Sequence, residues 1–389
     1  MTIHSKLPNV GTTIFTIMSA LADQHGAINL SQGFPNFDTP EELKRLVAHY
    51  MNKGMNQYAP MPGLPILRGR LADKIEKLYG QNIDPMTEIT ITIGGSQALF
   101  TAISAFVHAG DEVILIEPAY DSYAPSVELC GGKVVPYKLA PPQYDINWED
   151  FQKLITPKTR MIMINTPHNP TGKTLKTSDL QMLDKITEGS DILVLSDEVY
   201  EHLIFDGQLH QSILRYPNLF KRSLAAFSFG KTFHATGWKM GYIVAPEYLM
   251  REFRKVHQFN VFSVNTPMQY AIADFLEDEN TYLSLPDFYQ KKRDYFSKLM
   301  SGSRFKPLKS EGTYFQLFDY ENISDEDDFT FSKRLTTEFG VAAIPVSVFY
   351  SKVTASGARQ EGYDSKIIRL CFAKTEETLE KGAERLCGI

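Results

Sequence analysis

The chain has 389 residues, of which 43% are hydrophobic and 22% are charged, and its formal net charge is −6 at pH 7. This balance is typical of a water-soluble globular protein, and the length predicts two domains. A negative net charge without any basic run argues against a nucleic-acid partner.

The N-terminal region shows no pattern of a secretory or membrane segment. Residues 1–10 lack the apolar stretch that signal peptides need. The apolar residues from Ile14 to Leu21 follow the spacing of one helical face, so we predict a packing helix there and no membrane partner. The three cysteines have no CxxC spacing, which predicts free thiols and a cytoplasmic location.

Between residues 88 and 246, apolar strand-like runs alternate with helical stretches. The runs are 88–95, 111–118, 133–139, 160–167, 191–200, 223–230 and 240–246. Several runs are apolar at every position, as in parallel strands that are covered on both faces. Helices are predicted over 96–107 and from Asn147, where Asp150 completes an N-terminal cap pair. The alternation predicts an α/β protein with a largely parallel sheet.

After about residue 285 the pattern of the sequence changes. Residues 284–300 predict a charged amphipathic helix, and short strands and polar loops follow, including one at 351–365. We therefore predict a large domain over 46–285. A smaller α+β domain is expected from 1–45 together with 286–389, with the N-terminal segment packed against the C-terminal region.

Several common site motifs are absent from the sequence. Residues 171–174 and 229–232 end like a phosphate-binding P-loop, but Pro167 and Ala225 stand where its first glycine is needed. No two glycines have the GxG spacing of dinucleotide-binding turns, and neither HExxH nor GxSxG occurs. Nucleotide, metal and serine-hydrolase chemistry are therefore not expected.

Polar residues follow several of the predicted strands. Two glycines and Ser96 stand where a strand meets a helix, a position that can bind phosphate. Asp197 ends an apolar strand, either as a structural cap or ion pair or as a carboxylate that holds a proton on a ligand nitrogen. Asn169 lies in a polar turn whose prolines and glycine fix the backbone. Lys231 ends another strand, where it is either a surface residue or an amine of lowered pKa that forms imines.

Together these groups match the chemistry of one ligand. A phosphate, a protonatable ring nitrogen, a phenolic oxygen and an aldehyde would all find partners, and pyridoxal 5′-phosphate (PLP) carries all four. The motifs NPTG at 169–172, SDEVYEH at 196–202 and SFGKTFHATGWKMGY at 228–242 occur in this order. With them the chain resembles class I PLP-dependent aminotransferases of fold type I, in the branch of methionine and kynurenine–glutamine aminotransferases. The resemblance implies a mostly parallel seven-stranded sheet between helices, with a smaller α+β domain.

The resemblance also implies roles around the cofactor ring. Lys231 would hold PLP as an imine and, once released, move a proton on the substrate. Asp197 would keep the ring nitrogen protonated. Tyr200 and Asn169 would bond the phenolic oxygen, and Tyr120 would stack on the ring.

For the phosphate, the resemblance implies contacts from these residues: Ser96, Gln97, Ser228, Lys239 and, from a second subunit, Tyr58. An obligate homodimer with shared active sites follows from the last contact. Many relatives carry arginine at the position of Lys239. Lysine offers a point charge instead of a bidentate fork, so looser phosphate geometry is expected.

On the substrate side, Arg369 resembles the arginine that clamps the α-carboxylate, with Asn169 as a second contact. Gly33 would leave room beside that carboxylate. The pocket for the substrate side chain would include Phe15 and Phe262, beside Tyr58. Aromatic walls favour large neutral amino acids, with methionine preferred, and phenylalanine, tyrosine, glutamine and kynurenine as others. The implied reaction is a ping-pong transfer of the amino group to a 2-oxo acid.

Two other functions stay open at this point. A β-lyase acting on cysteine conjugates would use the same cofactor and release pyruvate and ammonia without an added 2-oxo acid. A non-catalytic ligand sensor would keep the fold without the reaction. The sensor is the less favoured alternative because every expected catalytic position is occupied.

Overall fold

A computed structural model describes residues 4–351 and 365–389. Its helices are α1 Ile14–His25, α2 Glu41–Asn52, α3 Pro65–Tyr79, α4 Gly94–Phe106, α5 Tyr123–Leu129, α6 Trp148–Gln152, α7 Thr177–Thr187, α8 Pro217–Phe220, α9 Phe229–Thr232, α10 Glu247–Asn260, α11 Thr266–Phe275, α12 Asn280–Leu283, α13 Leu285–Leu299, α14 Asp328–Thr337 and α15 Glu376–Cys387. Its strands are β1 Ile28–Asn29, β2 Ile89–Thr92, β3 Glu112–Glu117, β4 Lys133–Lys138, β5 Thr159–Asn165, β6 Leu193–Asp197, β7 Ser223–Ser228, β8 Gly241–Val244, β9 Lys306–Pro307, β10 Phe315–Asp319, β11 Val341–Ala342, β12 Ile344–Pro345 and β13 Ile367–Cys371. Most of the polar loop predicted at 351–365 lies outside the described residues.

The central sheet has seven strands in the order β2-β8-β7-β6-β5-β3-β4. The pairs from β7 to β4 are parallel, and β8 runs antiparallel to both of its neighbours. Each of the seven predicted runs supplies one of these strands. The predicted α/β class with a largely parallel seven-stranded sheet is therefore confirmed.

Hydrophobic layers cover both faces of this sheet. On β3, Val113 and Leu115 belong to one core together with residues of α4, whereas Ile114 and Ile116 belong to the other core. Successive strand residues point to opposite faces. Because both faces are covered, both sets must be apolar, which explains why the strand sequences do not alternate.

The helices predicted from the sequence are present. The helix predicted over 96–107 is α4, and the helix predicted from Asn147 is α6. The Asn147 side chain accepts hydrogen bonds from the backbone N–H groups of Glu149 and Asp150 at 3.1 and 3.3 Å, as a helix cap should. The charged helix predicted after residue 284 is α13. None of the helices within 4–351 and 365–389 combines the length and the apolarity that crossing a membrane requires.

The N-terminal segment packs with the C-terminal region, as expected. Strand β1 pairs in parallel with β11. The predicted packing helix is α1, whose Ile14 and Met18 form a buried cluster with Ile344 and Phe349. A second small sheet, in the order β12-β13-β10-β9, is antiparallel throughout its described pairs and sets Arg369 opposite Leu317.

The domain boundaries at residues 45 and 285 stay predictions. The strands of the central sheet lie within 46–285, and the strands of the two small sheets lie outside it. The first boundary falls inside α2, whose Tyr50 stacks on Tyr270 and donates a hydrogen bond to Asp274, both in α11. Helix α2 is thus continuous across the predicted boundary and is attached to the large domain.

A buried ion pair fixes α3 to the rest of the large domain. Lys74 Nζ lies 2.5 Å from Glu201 Oε1, with the two side chains 6% and 3% exposed. Lys74 also donates to the Tyr242 hydroxyl at 3.2 Å, and the Tyr79 hydroxyl donates to Glu201. Two charges this deep in the protein stabilise the fold only while they stay paired.

We expect Lys74→Met to lower the free energy of unfolding by about 3–5 kcal/mol, because it leaves the Glu201 carboxylate buried without its counter-charge. Urea unfolding followed by circular dichroism measures this difference. The matched control is Lys77→Met in the same helix, since Lys77 and its partner Glu279 are both largely exposed. The control should change stability by less than about 1 kcal/mol, and equal effects of the two variants would contradict the argument.

Candidate active site

One cavity collects most of the residues predicted for the site. It has a volume of about 310 Å³ and lies where β5, β6 and β7 end and α4 begins, facing β13. The carboxyl ends of parallel strands are the usual ligand-binding edge of an open α/β sheet. The predicted residues that line it are Phe15, Gly33, Ser96, Tyr120, Asn169, Asp197, Tyr200, Ser228, Lys231, Lys239 and Arg369.

Three predicted residues are not among those that line the cavity of this chain. The Gln97 amide oxygen accepts from the Ile93 N–H at 3.0 Å, and its amide nitrogen lies 2.6 Å from the Thr101 hydroxyl and 3.2 Å from His257 Nδ1 of α10. Tyr58 is 81% exposed and packs edge-on against Phe262, which is 55% exposed, with 5.3 Å between ring centroids. Both aromatic rings therefore lie on the surface, outside their own chain's cavity.

One end of the cavity is built to accept an anion. Gly94 and Gly95 open α4, and a Cβ added at Gly95 would lie 2.7 Å from Val199 Cγ1, so a larger residue would fill this space. Backbone N–H groups at a helix start attract negative charge. Ser228 and Lys239 line the same cavity, and Lys239 holds a left-handed backbone conformation with φ +54°.

Asp197 lies at the end of β6 and is 4% exposed. Burial raises the pKa of the Asp197 carboxyl to about 6, although the Tyr123 hydroxyl, the Val199 N–H and Lys231 each lower it. The Tyr123 hydroxyl donates to this carboxyl at 2.5 Å, and the Val199 N–H donates at 3.2 Å. A cation placed beside Asp197 would hold the carboxylate in its charged form.

Lys231 lies in α9, directly after β7, and is partly buried. Its Nζ donates to the Gly33 carbonyl at 3.1 Å and to the Tyr314 hydroxyl at 2.8 Å. Burial lowers the pKa of Lys231 to about 8, and the nearby cations Arg369 and Lys239 act in the same direction. A lysine of lowered pKa has a neutral, nucleophilic fraction near neutral pH.

Arg369 is a guanidinium that is only 1% exposed. It donates to Asn169 Oδ1 at 2.6 Å and to the Ser31 carbonyl at 3.2 Å, and it lies 3.8 Å above the Phe315 ring. Its Nε has no hydrogen-bond partner, and no carboxylate of the described residues forms an ion pair with it, although the charge of Asp121 acts on it from farther away. Burial lowers the pKa of Arg369 to about 10. A buried cation that forms no ion pair with a carboxylate calls for an anionic ligand.

Aromatic rings form one wall beside Arg369. The Phe15 ring lies 6.5 Å from Tyr120 and 6.0 Å from Phe349, measured between centroids. Arg369 lies 5.3 Å from the rings of both Phe15 and Phe349. Such a wall accepts a large apolar group close to the guanidinium.

Sequence reasoning missed several residues of the site. Tyr123 lies three positions after Tyr120 in the same motif, and Asn165 ends a predicted strand, so both carried a usable signal. Asn165 joins two predicted residues, since its amide donates to the Asp197 carbonyl at 2.9 Å and its oxygen accepts from the Asn169 N–H at 2.7 Å. Other missed residues include Phe315, which lines the cavity, and Tyr314 and Phe349, which contact Lys231 and Arg369; these three come from the chain after residue 286 and reach the site only through the tertiary fold.

The arrangement combines four chemical functions around one space. An anion-binding helix start lies at one end, with the Asp197 carboxyl and the Lys231 amine beside it and the Arg369 guanidinium facing them. Within the described residues, no group of three or more histidine, cysteine, aspartate or glutamate side chains could hold a metal ion. The site can therefore hold a molecule with a phosphate and a protonated nitrogen next to one with a carboxylate.

Comparison with known proteins identifies one family over most of the chain. A profile described as "Aminotransferase class I and II" matches residues 25–386. The chain is 51% identical over 384 residues to the methionine aminotransferase of Escherichia coli K12, covering 98% of this chain and 97% of that protein. It is 34% identical over 398 residues to kynurenine–oxoglutarate transaminase 1 of Homo sapiens, covering 94% and 93%.

The fold agrees equally well with a solved structure. An Escherichia coli protein, whose crystal structure is described as identifying a methionine aminotransferase function, superimposes with a TM-score of 0.96. The match has 50% sequence identity and covers 100% of both chains. At this identity the fold and the family are shared.

We expect Asp197→Asn to stabilise the ligand-free protein at about pH 8, by about 3 kcal/mol. The pKa of Asp197 is raised in the folded state from 3.8 to about 6, so ionising this carboxyl destabilises the fold above about pH 6. This penalty disappears as the pH falls towards 3.8, and the advantage of the asparagine variant should disappear with it. Urea unfolding at a series of pH values measures the difference.

The control is Asp191→Asn, which changes an exposed carboxylate just before β6. It should leave the pH profile of stability unchanged. A gain for Asp197→Asn that did not depend on pH would contradict the assignment of the raised pKa to this group.

Proposed function

We propose methionine as the preferred amino donor of this chain, which belongs to the class I and II aminotransferase family. Enzymes of this family use PLP to move an amino group from an amino acid to a 2-oxo acid, so the cofactor and reaction expected from the sequence are confirmed. The observation that carries the substrate proposal is the buried Arg369 guanidinium beside an aromatic wall.

The residues of the cavity fit PLP. A phosphate would be held by the helix start at Gly94 and Ser96, with Ser228 and Lys239 beside it. The buried Asp197 carboxyl suits the ring nitrogen, because its raised pKa falls once a cation lies next to it. When bound, PLP supplies an aldehyde that takes up the amino group and a ring that withdraws electrons from it.

Further contacts to the ring would come from residues that already lie around the cavity. Tyr200 and Asn169 would donate to the phenolic oxygen, and Tyr120 would stack on the ring. Burial raises the pKa of the Tyr200 phenol, so this group keeps its proton and can donate it in a hydrogen bond.

Lys231 would anchor the cofactor and serve as the general base. With a pKa of about 8, its amine is partly neutral near pH 7 and can take the proton from the substrate α-carbon. Burial keeps competing water away from this amine and makes its electrostatic interactions stronger. Cys371 and Asp197 act in the opposite direction and limit how far the Lys231 pKa falls.

Arg369 would bind the α-carboxylate of the amino acid and so orient the α-carbon towards Lys231. Asn169 already accepts a hydrogen bond from one guanidinium nitrogen, which fixes the plane of the fork. A Cβ added at Gly33 would lie 2.7 Å from Phe315 Cζ, so this position has no room for a side chain. The backbone of Gly33 can therefore approach the substrate closely.

The substrate preference follows from what else lines the cavity. Among the described residues that line it, the cationic side chains are Lys231, Lys239 and Arg369. These three are already assigned to the cofactor and the α-carboxylate, which leaves no cation for an acidic substrate side chain. The Phe15 ring, which lies beside Arg369, suits a large neutral side chain such as that of methionine, whose thioether also contacts aromatic rings favourably.

We further propose that the enzyme is a homodimer in which Tyr58 and Phe262 reach the cavity of the partner subunit. The two rings contact each other on the surface, and Phe259, which is 88% exposed, lies three residues before Phe262 in the chain. An exposed aromatic cluster of this kind is typical of an interaction surface. Hydrogen bonds from Ser263 and Thr266 to the Ala59 and Gln57 carbonyls join the two segments that carry the rings.

A cytoplasmic location is also proposed. Cys130, Cys371 and Cys387 are free thiols in the structure. Free thiols persist in a reducing compartment, where disulfides are rare.

The proposed donor is tested by mixing the PLP-loaded protein with single amino acids and recording the loss of the cofactor's visible absorbance. Methionine should react with a kcat/KM about 10–100-fold higher than aspartate, because the cavity offers an aromatic wall and no further cation. Release of pyruvate and ammonia from a cysteine conjugate without a 2-oxo acid would indicate a β-lyase instead.

The matched variant for this screen is Arg369→Gln. It should keep the cofactor and its colour but lower kcat/KM for methionine by roughly 100-fold or more, since the carboxylate loses its charged partner. Arg251→Gln, which changes an exposed arginine, is the control and should react like the parent. If the parent enzyme reacted faster with aspartate than with methionine, methionine would not be the preferred donor and the proposal would be overturned.

The shared active site predicts complementation between two inactive variants. Lys231→Ala lacks its own anchor and Tyr58→Ala damages the partner's site, so a mixed dimer contains one intact site. We expect unfolding and refolding of the mixture to restore about a quarter of the parent activity, because about half of the dimers are mixed and each has one working site. If Tyr58 served its own subunit, the mixture would gain no activity.

A further inference from the structure

Tyr314 is a buried residue that contacts the proposed anchor lysine. It precedes β10 and is 0% exposed. Its phenol oxygen accepts a hydrogen bond from Lys231 Nζ at 2.8 Å. The same hydroxyl bonds to the Gly33 carbonyl, which itself accepts from Lys231 at 3.1 Å. Lysine, tyrosine and the Gly33 backbone thus form one hydrogen-bonded group.

The Tyr314 ring has little freedom to move. It meets the Tyr200 ring edge-on at 5.2 Å and the Phe315 ring at 4.9 Å, and it lies 6.0 Å from the Tyr289 ring. A side chain fixed on several sides holds its polar atom in one place, as a positioning residue must.

The reaction places a particular demand on Lys231. As the proposed anchor, its amine would be linked to PLP for part of the reaction and would be free to act on the substrate for the rest. A free amine without a nearby acceptor would lose hydrogen bonds and could adopt many orientations. The Tyr314 oxygen and the Gly33 carbonyl offer two acceptors on one side of the amine.

We propose that Tyr314 is a positioning residue for Lys231: its phenol oxygen receives the ε-amine whenever this amine is free of the cofactor, and holds it beside Gly33. This inference rests on the proposed role of Lys231 as the anchor. Tyr314 itself gains and loses no covalent bond.

Other charged and titratable groups face the same amine from neighbouring elements. Arg369 and Lys239 disfavour the ammonium form of Lys231, and Asp197 and Cys371 favour it. The groups that face Tyr314 are Tyr200, Tyr289 and Cys371. Because a phenol oxygen that accepts from the ammonium form stabilises this form, removing it should lower the Lys231 pKa further.

The first experiment measures Lys231 directly in the full chain after removal of PLP. Acetylation of Lys231 by acetic anhydride is followed across a pH series by peptide mass spectrometry. The midpoint should lie near 8 in the parent, and Tyr314→Phe should lower it by about one pH unit, the size expected for one hydrogen bond to a charged group. Tyr289→Phe is the matched control, because it removes a neighbouring buried hydroxyl that bonds to His234 and not to Lys231.

The second experiment uses the PLP-loaded enzyme. Tyr314→Phe should lower kcat for methionine by roughly 10–100-fold and leave KM nearly unchanged, since a misplaced amine affects the proton transfer more than substrate binding. Tyr314→Gln offers an amide oxygen in place of the phenol oxygen, so its midpoint of Lys231 acetylation should lie closer to that of the parent. Tyr314→Met offers no such oxygen, and its midpoint should stay as low as that of Tyr314→Phe. This second pair keeps the test decisive if the phenylalanine variant does not fold.

An unchanged Lys231 midpoint in both Tyr314→Phe and Tyr314→Met would overturn the inference, and so would an equal shift in Tyr289→Phe. Failure of the underlying assignment gives a different result: Lys231→Ala would still bind PLP covalently. The two outcomes are therefore distinguishable.

Discussion

The site depends on burying the Arg369 guanidinium where no carboxylate of the described residues forms an ion pair with it and only Asp121 acts on it from farther away. Its contacts come from neutral groups: an amide oxygen, a backbone carbonyl and the face of Phe315. These contacts orient the charge without neutralising it. A carboxylate ligand therefore binds a cation that folding has already removed from water. The protein holds this unfavourable group through the packing of two sheets, and the same packing sets the distance to Lys231.

Elements far apart in the sequence meet because of this constraint. Asn169 follows β5 of the central sheet, Ser31 follows β1, and Arg369 and Phe315 lie on paired strands of the smaller sheet. Asn165 extends the hydrogen bonds from Asn169 to the Asp197 backbone. The carboxylate end and the cofactor end of the cavity are thus mechanically connected. A displacement of the smaller sheet would change both.

Much of this arrangement could be predicted from the sequence, for a physical reason. Asp197, Lys231 and Asn169 follow apolar strands, and parallel strands bring their carboxyl ends to one edge, so position in the chain determines position in space. Tyr314 and Phe349 could not be found this way, because their approach depends on how the smaller sheet packs against the larger one. The Gln97 side chain bonds to the Ile93 N–H instead of pointing into the cavity, and nothing in the sequence distinguishes these two orientations. The predicted boundary at residue 45 falls inside α2, because an amphipathic helix does not show in its sequence which neighbouring elements cover its apolar face.

Lys239 has a consequence for protein engineering. Its left-handed backbone, with φ +54°, is a conformation that glycine and asparagine adopt more readily, at a difference of about 1 kcal/mol. A stability-guided redesign that scores backbone preference alone would therefore replace Lys239 and report an improved protein. The replacement would also remove a cation from the anion end of the cavity. Backbone strain at this position marks a residue that such a design protocol should hold fixed.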